Sequence, residues 1–158
     1  AHVVRALTAA GMRVVVLDDL SSGHAAFVPA DVPFVRASIL DAAAVDAALT
    51  QHAVTGVIHV AGFKYAGVSV ERPLHTYEQN VTGMITLLEA MQRHGVQQCV
   101  FSSSAAVYGA VDVDLVTEET PKSPTSPYGE SKLIGEWLLR DQAVAAGLRH
   151  TSLRYFNV

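Results

Sequence analysis

Ser104, Tyr128 and Lys132 are residue types that together could remove a proton from a substrate hydroxyl. A tyrosine hydroxyl titrates at about pH 10 and becomes a useful base at neutrality only when its anion is stabilised. A nearby lysine ammonium favours the phenolate, and a cationic oxidised nicotinamide would act in the same direction. A serine would orient the substrate hydroxyl. The three types together indicate an enzyme that passes a hydride to a nicotinamide.

The spacing of these residues predicts how they are positioned. Tyr128 and Lys132 are four residues apart in PYGESKLIGEWLL, an interval that places both on one face of a helix. Ser104 ends the run CVFSSS, whose composition predicts a buried strand leading into a loop. A surface tyrosine beside a solvated lysine would show the same spacing, so the pair alone leaves that alternative open.

Composition predicts a soluble cytoplasmic α/β protein. The chain has 158 residues, of which 50% are hydrophobic, and this content suits strands buried on both faces of a parallel sheet. The net charge of −4 and the scattered basic residues argue against a nucleic-acid partner. No run approaches the roughly 18 apolar residues of a membrane helix, so no membrane partner is expected. The single cysteine, Cys99, is interpreted as a small core residue.

Short β-branched runs alternate with helical stretches, which predicts a Rossmann-type, doubly wound parallel sheet. The predicted strands cover 13–18, 33–36, 54–60, 97–102 and 150–155. The predicted helices cover 1–10, 41–52, 71–94 and 126–146, with Asp41 capping the second of them, and 109–127 is a predicted loop.

Acidic and small residues follow two of the predicted strands, at the sheet edge where ligands bind in this fold class. Asp18 and Asp19 could accept the ribose hydroxyls of NAD and would repel the extra phosphate of NADP; an acidic turn is the alternative. Ala61, Gly62 and Lys64 could admit a pyrophosphate, although a plain turn would read the same. A glycine-rich phosphate loop normally precedes such an acid by about 20 residues, so we expect that loop and a first strand upstream of residue 1.

Six blocks in a fixed order resemble the extended short-chain dehydrogenase/reductases and, among them, the UDP-glucose 4-epimerases. They are VLDDLSSG (16–23), VIHVAGFKYAGVSVERP (57–73), YEQNVTGMITLLEAM (77–91), FSSSAAVYG (101–109), SPYGESKLIGE (126–136) and LRYFNV (153–158). The resemblance implies that residues 1–158 form a partial NAD-binding Rossmann domain, incomplete at both ends. The first strand would be missing and the C-terminal substrate domain absent.

The resemblance also implies roles for individual residues. Tyr128 would take the proton of the sugar 4-hydroxyl, Lys132 would tune Tyr128 and hold the nicotinamide ribose, and Ser104 would bond the same hydroxyl. NAD would oxidise C4 transiently, interconverting UDP-glucose and UDP-galactose. The implied NAD contacts are Asp18, Asp19, Ser21, Ser22, Ser38, Ile39, Ala61, Gly62, Lys64, Asn80, Tyr128, Lys132 and Phe156. The UDP-hexose contacts are Ser104, Tyr128 and Asn157, and no metal ligand is implied.

Two departures from relatives bear on the activity. Ala105 and Ala106 stand where sugar-nucleotide 4,6-dehydratases carry an Asp-Glu pair, and without those carboxylates epimerisation is favoured over elimination. Ser38 stands where relatives have the acid that bonds the adenine amino group, although a serine can still hydrogen-bond. For Asn80 a helix-interior amide, and for Phe156 a core aromatic, are the alternative interpretations.

Other functions and the fate of the isolated chain are further expectations. Another NAD-dependent nucleotide-sugar epimerase or dehydratase, or a non-catalytic dinucleotide-binding protein, stays open as an alternative. By analogy, the helices over 71–94 and 126–146 would pair two subunits into a homodimer. Because a central strand would be missing, the 158 residues alone are expected to be inactive, and to be unstable or to aggregate.

Overall fold

Parallel strands alternate with helices along the chain, as the sequence predicts. The structure is a computed structural model that describes residues 1–156. In chain order the elements are α1 (His2–Ala9), β1 (Val16–Asp18), β2 (Phe34–Arg36), α2 (Ala42–Gln51), β3 (Val57–His59), α3 (Ala66–Glu71), α4 (Pro73–Tyr77), α5 (Gly83–Arg93), β4 (Gln98–Ser104), α6 (Pro127–Ala146) and β5 (Arg149–Tyr155). Short 3₁₀ turns occupy Ala25–Phe27 and Ala105–Val107, and a π-helical turn occupies Glu78–Thr82.

The strands form two parallel sheets. β1 pairs with β2, and β3, β4 and β5 pair in that order, with Ser104 of β4 opposite Tyr155 of β5. Within residues 1–156, β1 and β3 do not pair with each other. A cavity of about 400 Å³ separates them and is lined largely by apolar side chains, among them Val3, Leu7, Val16, Ile58 and Val60.

The ends of the first and third predicted strands are wrong. Only Val16–Asp18 and Val57–His59 pair, so each strand is shorter than the predicted 13–18 and 54–60. The unpaired flanks line the cavity between the sheets, where no neighbouring strand in the described chain offers backbone partners. A β-rich composition therefore extends beyond the residues that actually form a ladder.

The single helix predicted over 71–94 is also wrong in its detail. Helical structure begins earlier, at Ala66, and breaks at Arg72, whose φ of −129° and ψ of 58° are not helical. Pro73 explains the break, because a proline lacks an N–H and disfavours the helical conformation in the residue before it. The helix then widens into the π turn before α5 begins at Gly83.

The other predicted helices are confirmed to within a residue or two. Asp41 caps α2, where its carboxylate accepts a hydrogen bond from Ala44 N at 3.0 Å. Ser126 caps α6, where its Oγ accepts from Gly129 N at 3.2 Å. Gly147, with a φ of +71°, ends α6, and such left-handed glycines are common directly after helices. Among residues 1–156, no helix is long and apolar enough to cross a membrane.

The larger of two hydrophobic clusters in the described residues joins both sheets to the helices. Val45 of α2, Met84 and Met91 of α5, Phe101 of β4 and Leu139 of α6 are all buried in it. Cys99 is also buried there, in agreement with its interpretation as a core residue. The core fixes β4, which carries Ser104, against α5 and against α6, which carries Tyr128 and Lys132.

Candidate active site

Tyr128 and Lys132 lie on the first two turns of α6. Ser126 caps this helix and Pro127 is its first residue, so Tyr128 follows directly after a start that capping and proline both favour. Lys132 lies one turn later, and its Nζ is 5.8 Å from the centre of the Tyr128 ring. The predicted shared helix face is therefore confirmed.

Lys132 is a buried cation. Its side chain is 6% exposed, and its Nζ donates a hydrogen bond to Ser102 O at 2.9 Å and lies 5.0 Å from the centre of the Phe101 ring. Burial lowers the pKa of Lys132 to about 8, so the ammonium still carries most of its charge at neutral pH. The Lys132 ammonium therefore lies beside the Tyr128 ring at a position that little solvent reaches.

His59, at the end of β3, does not add to that charge. It is buried and stacks against Phe101, with 5.7 Å between the ring centres. Burial, with the charge of Lys132 as the smaller cause, lowers the pKa of His59 to about 3. Its imidazole is therefore neutral at physiological pH, and it leaves Lys132 as the buried cation beside Tyr128.

Ser104 is the last residue of β4 and begins the 3₁₀ turn over Ala105–Val107. Its Oγ accepts a hydrogen bond from Ala106 N at 3.1 Å, which fixes the turn. The turn packs tightly on α6: a Cβ placed on Gly129 would lie 2.6 Å from Ala106 O. Ser104 is thus held on a turn that touches Gly129, the helix residue next to Tyr128, and its place beside Tyr128 and Lys132 in one site stays a prediction.

Most of the predicted cofactor residues lie together around a second cavity, of about 440 Å³, at the carboxyl ends of β1 and β3. This volume falls within the range of about 300–1,000 Å³ that is typical of small-molecule sites. Acidic and hydroxyl groups come from the β1 side, and a backbone segment of small residues and a cation come from the β3 side. The predicted residues that line the cavity are Asp18, Asp19, Ser21, Ser22, Ile39, Ala61, Gly62 and Lys64.

The two aspartates are oriented by the turn that follows β1. Asp18 Oδ1 accepts from Leu20 N at 2.7 Å, and Asp19 Oδ1 accepts from Ser21 N at 2.8 Å. The hydrogen bonds from Ser21 hold the pKa of Asp19 below its ordinary value. Each carboxylate keeps a second oxygen, so this pair has the acceptors that a ribose diol requires.

Gly62 lets the backbone line the cavity closely. Its φ of +125° is a conformation that other residues rarely adopt, and an added Cβ would lie 2.5 Å from Asn80 Oδ1. Lys64 then adds a positive charge beside this small-residue segment. The donor set suits a dinucleotide, because its sugar hydroxyls can meet carboxylates while its phosphates meet exposed backbone and a cation.

Five residues of the predicted NAD contacts do not line this cavity: Ser38, Asn80, Tyr128, Lys132 and Phe156. Ser38 Oγ accepts from Leu40 N at 3.2 Å, and Phe156 is 54% exposed with its ring 6.4 Å from that of Tyr108. Asn80 is buried and bonded to protein groups. Their roles toward NAD stay predictions, as does that of Asn157, which lies outside the described residues.

Arg72, His75 and Gln79 are among the polar residues of the cavity lining that the sequence reasoning missed. Their separations of three and four residues are those of one helix face, and this spacing was a signal in the sequence. The helix break at Arg72 and the π turn alter the geometry of that face, so spacing alone would not have placed them.

Comparison with known proteins decides the family. A family model described as "NAD dependent epimerase/dehydratase family" matches residues 1–158. The chain belongs to that family. Its Ser104, Tyr128 and Lys132 are therefore found in a family whose name specifies the NAD-dependent chemistry that their types and positions suit.

The epimerase/dehydratase family members most similar to the chain include several UDP-glucose 4-epimerases. The chain is 46% identical over 157 residues to the enzyme of Azospirillum brasilense, and the match covers 99% of this chain and 45% of that protein. A crystal structure of the Brucella ovis UDP-glucose 4-epimerase in complex with NAD matches with a TM-score of 0.95 and 42% identity, covering 99% of this chain and 48% of that one. The Thermus thermophilus enzyme in complex with NAD matches with a TM-score of 0.94 and 40% identity, covering 98% and 50%. The chain thus spans about half the length of these relatives.

Proposed function

We propose that the protein interconverts UDP-glucose and UDP-galactose as an NAD-dependent 4-epimerase. The observation that carries this proposal is the buried Lys132 beside Tyr128, on a helix that packs against the turn of Ser104. Similarity to UDP-glucose 4-epimerases over 99% of the chain supports the choice of substrate class.

Each of the three residues has a separate task in this proposal. The Tyr128 phenolate takes the proton of the sugar C4 hydroxyl and later returns a proton to the C4 oxygen. Lys132 favours the phenolate through its positive charge. The ammonium lies close to the Tyr128 ring and is buried, so little water screens it. Ser104 hydrogen-bonds the same hydroxyl and holds it toward Tyr128.

The cavity at the ends of β1 and β3 would hold the cofactor. Asp18 and Asp19 would accept the ribose hydroxyls, and the segment from Ala61 to Lys64 would face the phosphates. When bound there, NAD would supply hydride acceptance from C4 and hydride return to the opposite face of that carbon, as inversion requires. The role of the chain is to bind, to orient and to move the hydroxyl proton.

Epimerisation fits the site better than dehydration does. Elimination of water across C5 and C6 needs an acid and a base beside the sugar, and the turn after Ser104 presents Ala105 and Ala106 there. Neither methyl side chain can exchange a proton. The site therefore has the one base that transient oxidation at C4 needs and lacks the pair that elimination needs at this turn.

The test is turnover by the protein expressed from its complete reading frame. It is incubated with UDP-galactose without added NAD, and UDP-glucose formation is followed for the wild type and for Tyr128→Phe. We expect turnover in the wild type, and a loss of at least about 100-fold in the variant, because general base catalysis typically contributes about 10²–10⁴-fold. Tyr77→Phe is the matched control, since the hydroxyl of Tyr77 donates to Glu130 and lies in neither cavity lining.

Absence of turnover in the wild type, with NAD supplied as well, would refute the proposal. Turnover that survives Tyr128→Phe would keep an epimerase but remove Tyr128 from the role of base. Conversion of the N-acetylated sugar nucleotide alone would move the substrate to that class while leaving the roles of the three residues unchanged.

We also propose that the protein is a cytoplasmic homodimer. Ile85 of α5 and Trp137 of α6 are large apolar side chains that are 39% and 47% exposed, and helix pairing between two copies would cover them. The lone Cys99, buried and without an internal disulfide partner, suits a reducing compartment. Light scattering on the protein as it elutes from a size-exclusion column checks the dimer. A monomer mass at micromolar concentration would contradict the dimer.

A further inference from the structure

A chain of buried polar side chains surrounds the backbone of Tyr128. Ser69 of α3, Asn80 of the π turn and Ser131 of α6 are 0%, 5% and 1% exposed. Buried polar groups of this kind require partners, since an unsatisfied one costs about 1–3 kcal/mol. Their hydrogen bonds connect Tyr128 at the start of α6 to the segment from Ala61 to Lys64.

Both backbone polar groups of Tyr128 are bonded by serines. Tyr128 N lies near the start of α6, where backbone N–H groups have no partner within the helix, and it donates to Ser69 Oγ at 3.1 Å. The Ser69 hydroxyl in turn donates to Ala66 O at 2.6 Å, which fixes its orientation. Ser131 Oγ donates to Tyr128 O at 2.7 Å.

Asn80 connects this arrangement to the cavity. Its Nδ2 donates to Ser131 Oγ at 2.8 Å and to Phe63 O at 3.0 Å, while its Oδ1 accepts from Phe63 N at 2.6 Å. Phe63 lies between Gly62 and Lys64, in the segment that lines the cavity. The π turn over Glu78–Thr82 carries Asn80, and such turns inside helices often occur at functional sites.

We propose that Ser69 and Ser131, linked through Asn80, are positioning residues that set Tyr128 against the segment from Ala61 to Lys64. The inference rests on the proposed function, because it says how that site holds its base. Misplacement of a reacting group by about 1 Å can reduce a rate by about 10²-fold. Two serines that fix both backbone groups of Tyr128 limit such movement, and Asn80 ties the same backbone to the cavity wall.

The two serines give a cleaner test than Asn80. Asn80 is itself a predicted cofactor contact, so its replacement would change two things at once. Ser69 and Ser131 are 0% and 1% exposed and cannot touch a bound ligand. Ser69→Ala and Ser131→Ala each delete one oxygen. Thr76→Val is the control, because it removes a fully buried hydroxyl that bonds only Arg72 O, at 3.0 Å, within the same helical region.

The experiment uses the protein expressed from its complete reading frame and measures kcat and KM with UDP-galactose. We expect each serine variant to lose at least about 10-fold in kcat with KM changed less than about 3-fold, whereas Thr76→Val keeps its kcat within about 2-fold. Cysteine at either position keeps a weaker donor, so Ser131→Cys should recover part of the kcat. A purely structural role would lower the melting temperature of all three variants alike and leave kcat of the folded enzymes unchanged.

Hydrogen–deuterium exchange of the peptide over residues 126–130 provides a second readout that needs no activity. Loss of Ser69 removes the acceptor of Tyr128 N, so exchange in that peptide should rise at least about 10-fold in Ser69→Ala and stay unchanged in Thr76→Val. If the wild type turns over and both serine variants keep their kcat, the inference is wrong while the proposed function stands. If the wild type shows no turnover, the proposed function fails and the exchange result decides the inference, with unchanged exchange overturning it.

Discussion

Glu136 and Arg154 form a partly buried ion pair between α6 and β5, and we expect the loss of Arg154 to destabilise the protein. Arg154 Nη2 lies 2.7 Å from Glu136 Oε2, and Arg154 Nε lies 2.9 Å from Oε1. Ser103 Oγ donates to the same carboxylate at 2.6 Å, and Arg154 Nη1 donates to Tyr108 Oη at 2.7 Å. The pair therefore links β4, β5, α6 and the residue after the turn of Ser104.

Arg154→Leu is the perturbation. It removes two charge-assisted hydrogen bonds from Glu136, each worth about 1.5–3 kcal/mol, and leaves the carboxylate with Ser103 alone. Breaking one partner of a buried pair costs about 3–5 kcal/mol. The side chains of Arg154 and Glu136 are 19% and 10% exposed, so some water reaches them. We therefore expect a loss near the lower end, about 3 kcal/mol in the free energy of unfolding.

The assay is urea unfolding at neutral pH, followed by circular dichroism, on the protein expressed from its complete reading frame. The double variant Glu136→Leu with Arg154→Leu is the matched control, because it leaves no unpaired charge. Replacing a whole buried pair by apolar residues is often nearly neutral, so we expect the double variant to lose only about 1 kcal/mol. The slope of the free energy with urea must stay unchanged for the comparison to hold.

The pH dependence gives an independent check. Burial raises the pKa of Glu136, but the hydrogen bonds from Arg154 and Ser103 outweigh it, and the pKa lies below its ordinary value. The pair thus stabilises the wild type above the unfolded pKa of a glutamate, about 4.3, and this contribution is lost as pH falls through the folded pKa. The difference in the free energy of unfolding between wild type and Arg154→Leu should become smaller below about pH 5. A loss under about 1 kcal/mol, or a double variant as unstable as the single one, would refute this reasoning.

Three further predictions concern single residues. Gly129→Ala places a Cβ 2.6 Å from the backbone oxygen of Ala106, so we expect urea unfolding to show about 1–3 kcal/mol of lost stability. In the control Gly67→Ala the added Cβ meets nothing within 4 Å, so that variant should gain up to about 1 kcal/mol. Equal effects of the two substitutions would contradict the packing argument. Burial raises the pKa of Cys99 to about 11, so its thiol should resist Ellman's reagent at about pH 8 and react fully in urea; rapid native reaction would contradict its burial. Burial lowers the pKa of Lys132 from 10.5 to about 8, so between these pH values the unfolded chain binds more protons than the folded one, and the free energy of unfolding should rise with pH. Lys132→Met should lack that rise. Parallel curves of unfolding free energy against pH for the two proteins would refute the shift.

The sequence was sufficient where the signal is local. The four-residue interval between Tyr128 and Lys132, and the cap at Asp41, each depend on neighbours within one helical turn, and both are confirmed. Long-range partners could not be predicted in the same way. The bond from Tyr128 N to Ser69 spans 59 residues, and the bond from Asn80 to Ser131 spans 51. Nothing in the composition of either segment indicates the other.

Strand ends and helix breaks also separate into those that local sequence predicts and those that depend on distant partners. The β-branched run before Asp18 predicts a longer strand than the one that forms, because pairing depends on a neighbouring strand and not on composition alone. Pro73 was visible in the sequence and its effect on Arg72 follows from known backbone restrictions. The π turn at Glu78–Thr82 had no such marker, since one extra residue per turn is accommodated by tertiary packing.

The second cavity lies between the edges of the two sheets. Asp18 and Asp19 belong to the sheet of β1, whereas Gly62 and Lys64 follow the sheet of β3, and no ladder of backbone hydrogen bonds joins these sheets within residues 1–156. Within these residues the hydrophobic core, against which Leu17 of β1 and Val57 of β3 both pack, joins the two sheets. A ligand that bonds both edges would connect the two sheets across the cavity. It would add RT ln(1 + [L]/Kd) to the free energy of unfolding, so that the stability of the fold would rise with occupancy of the cavity.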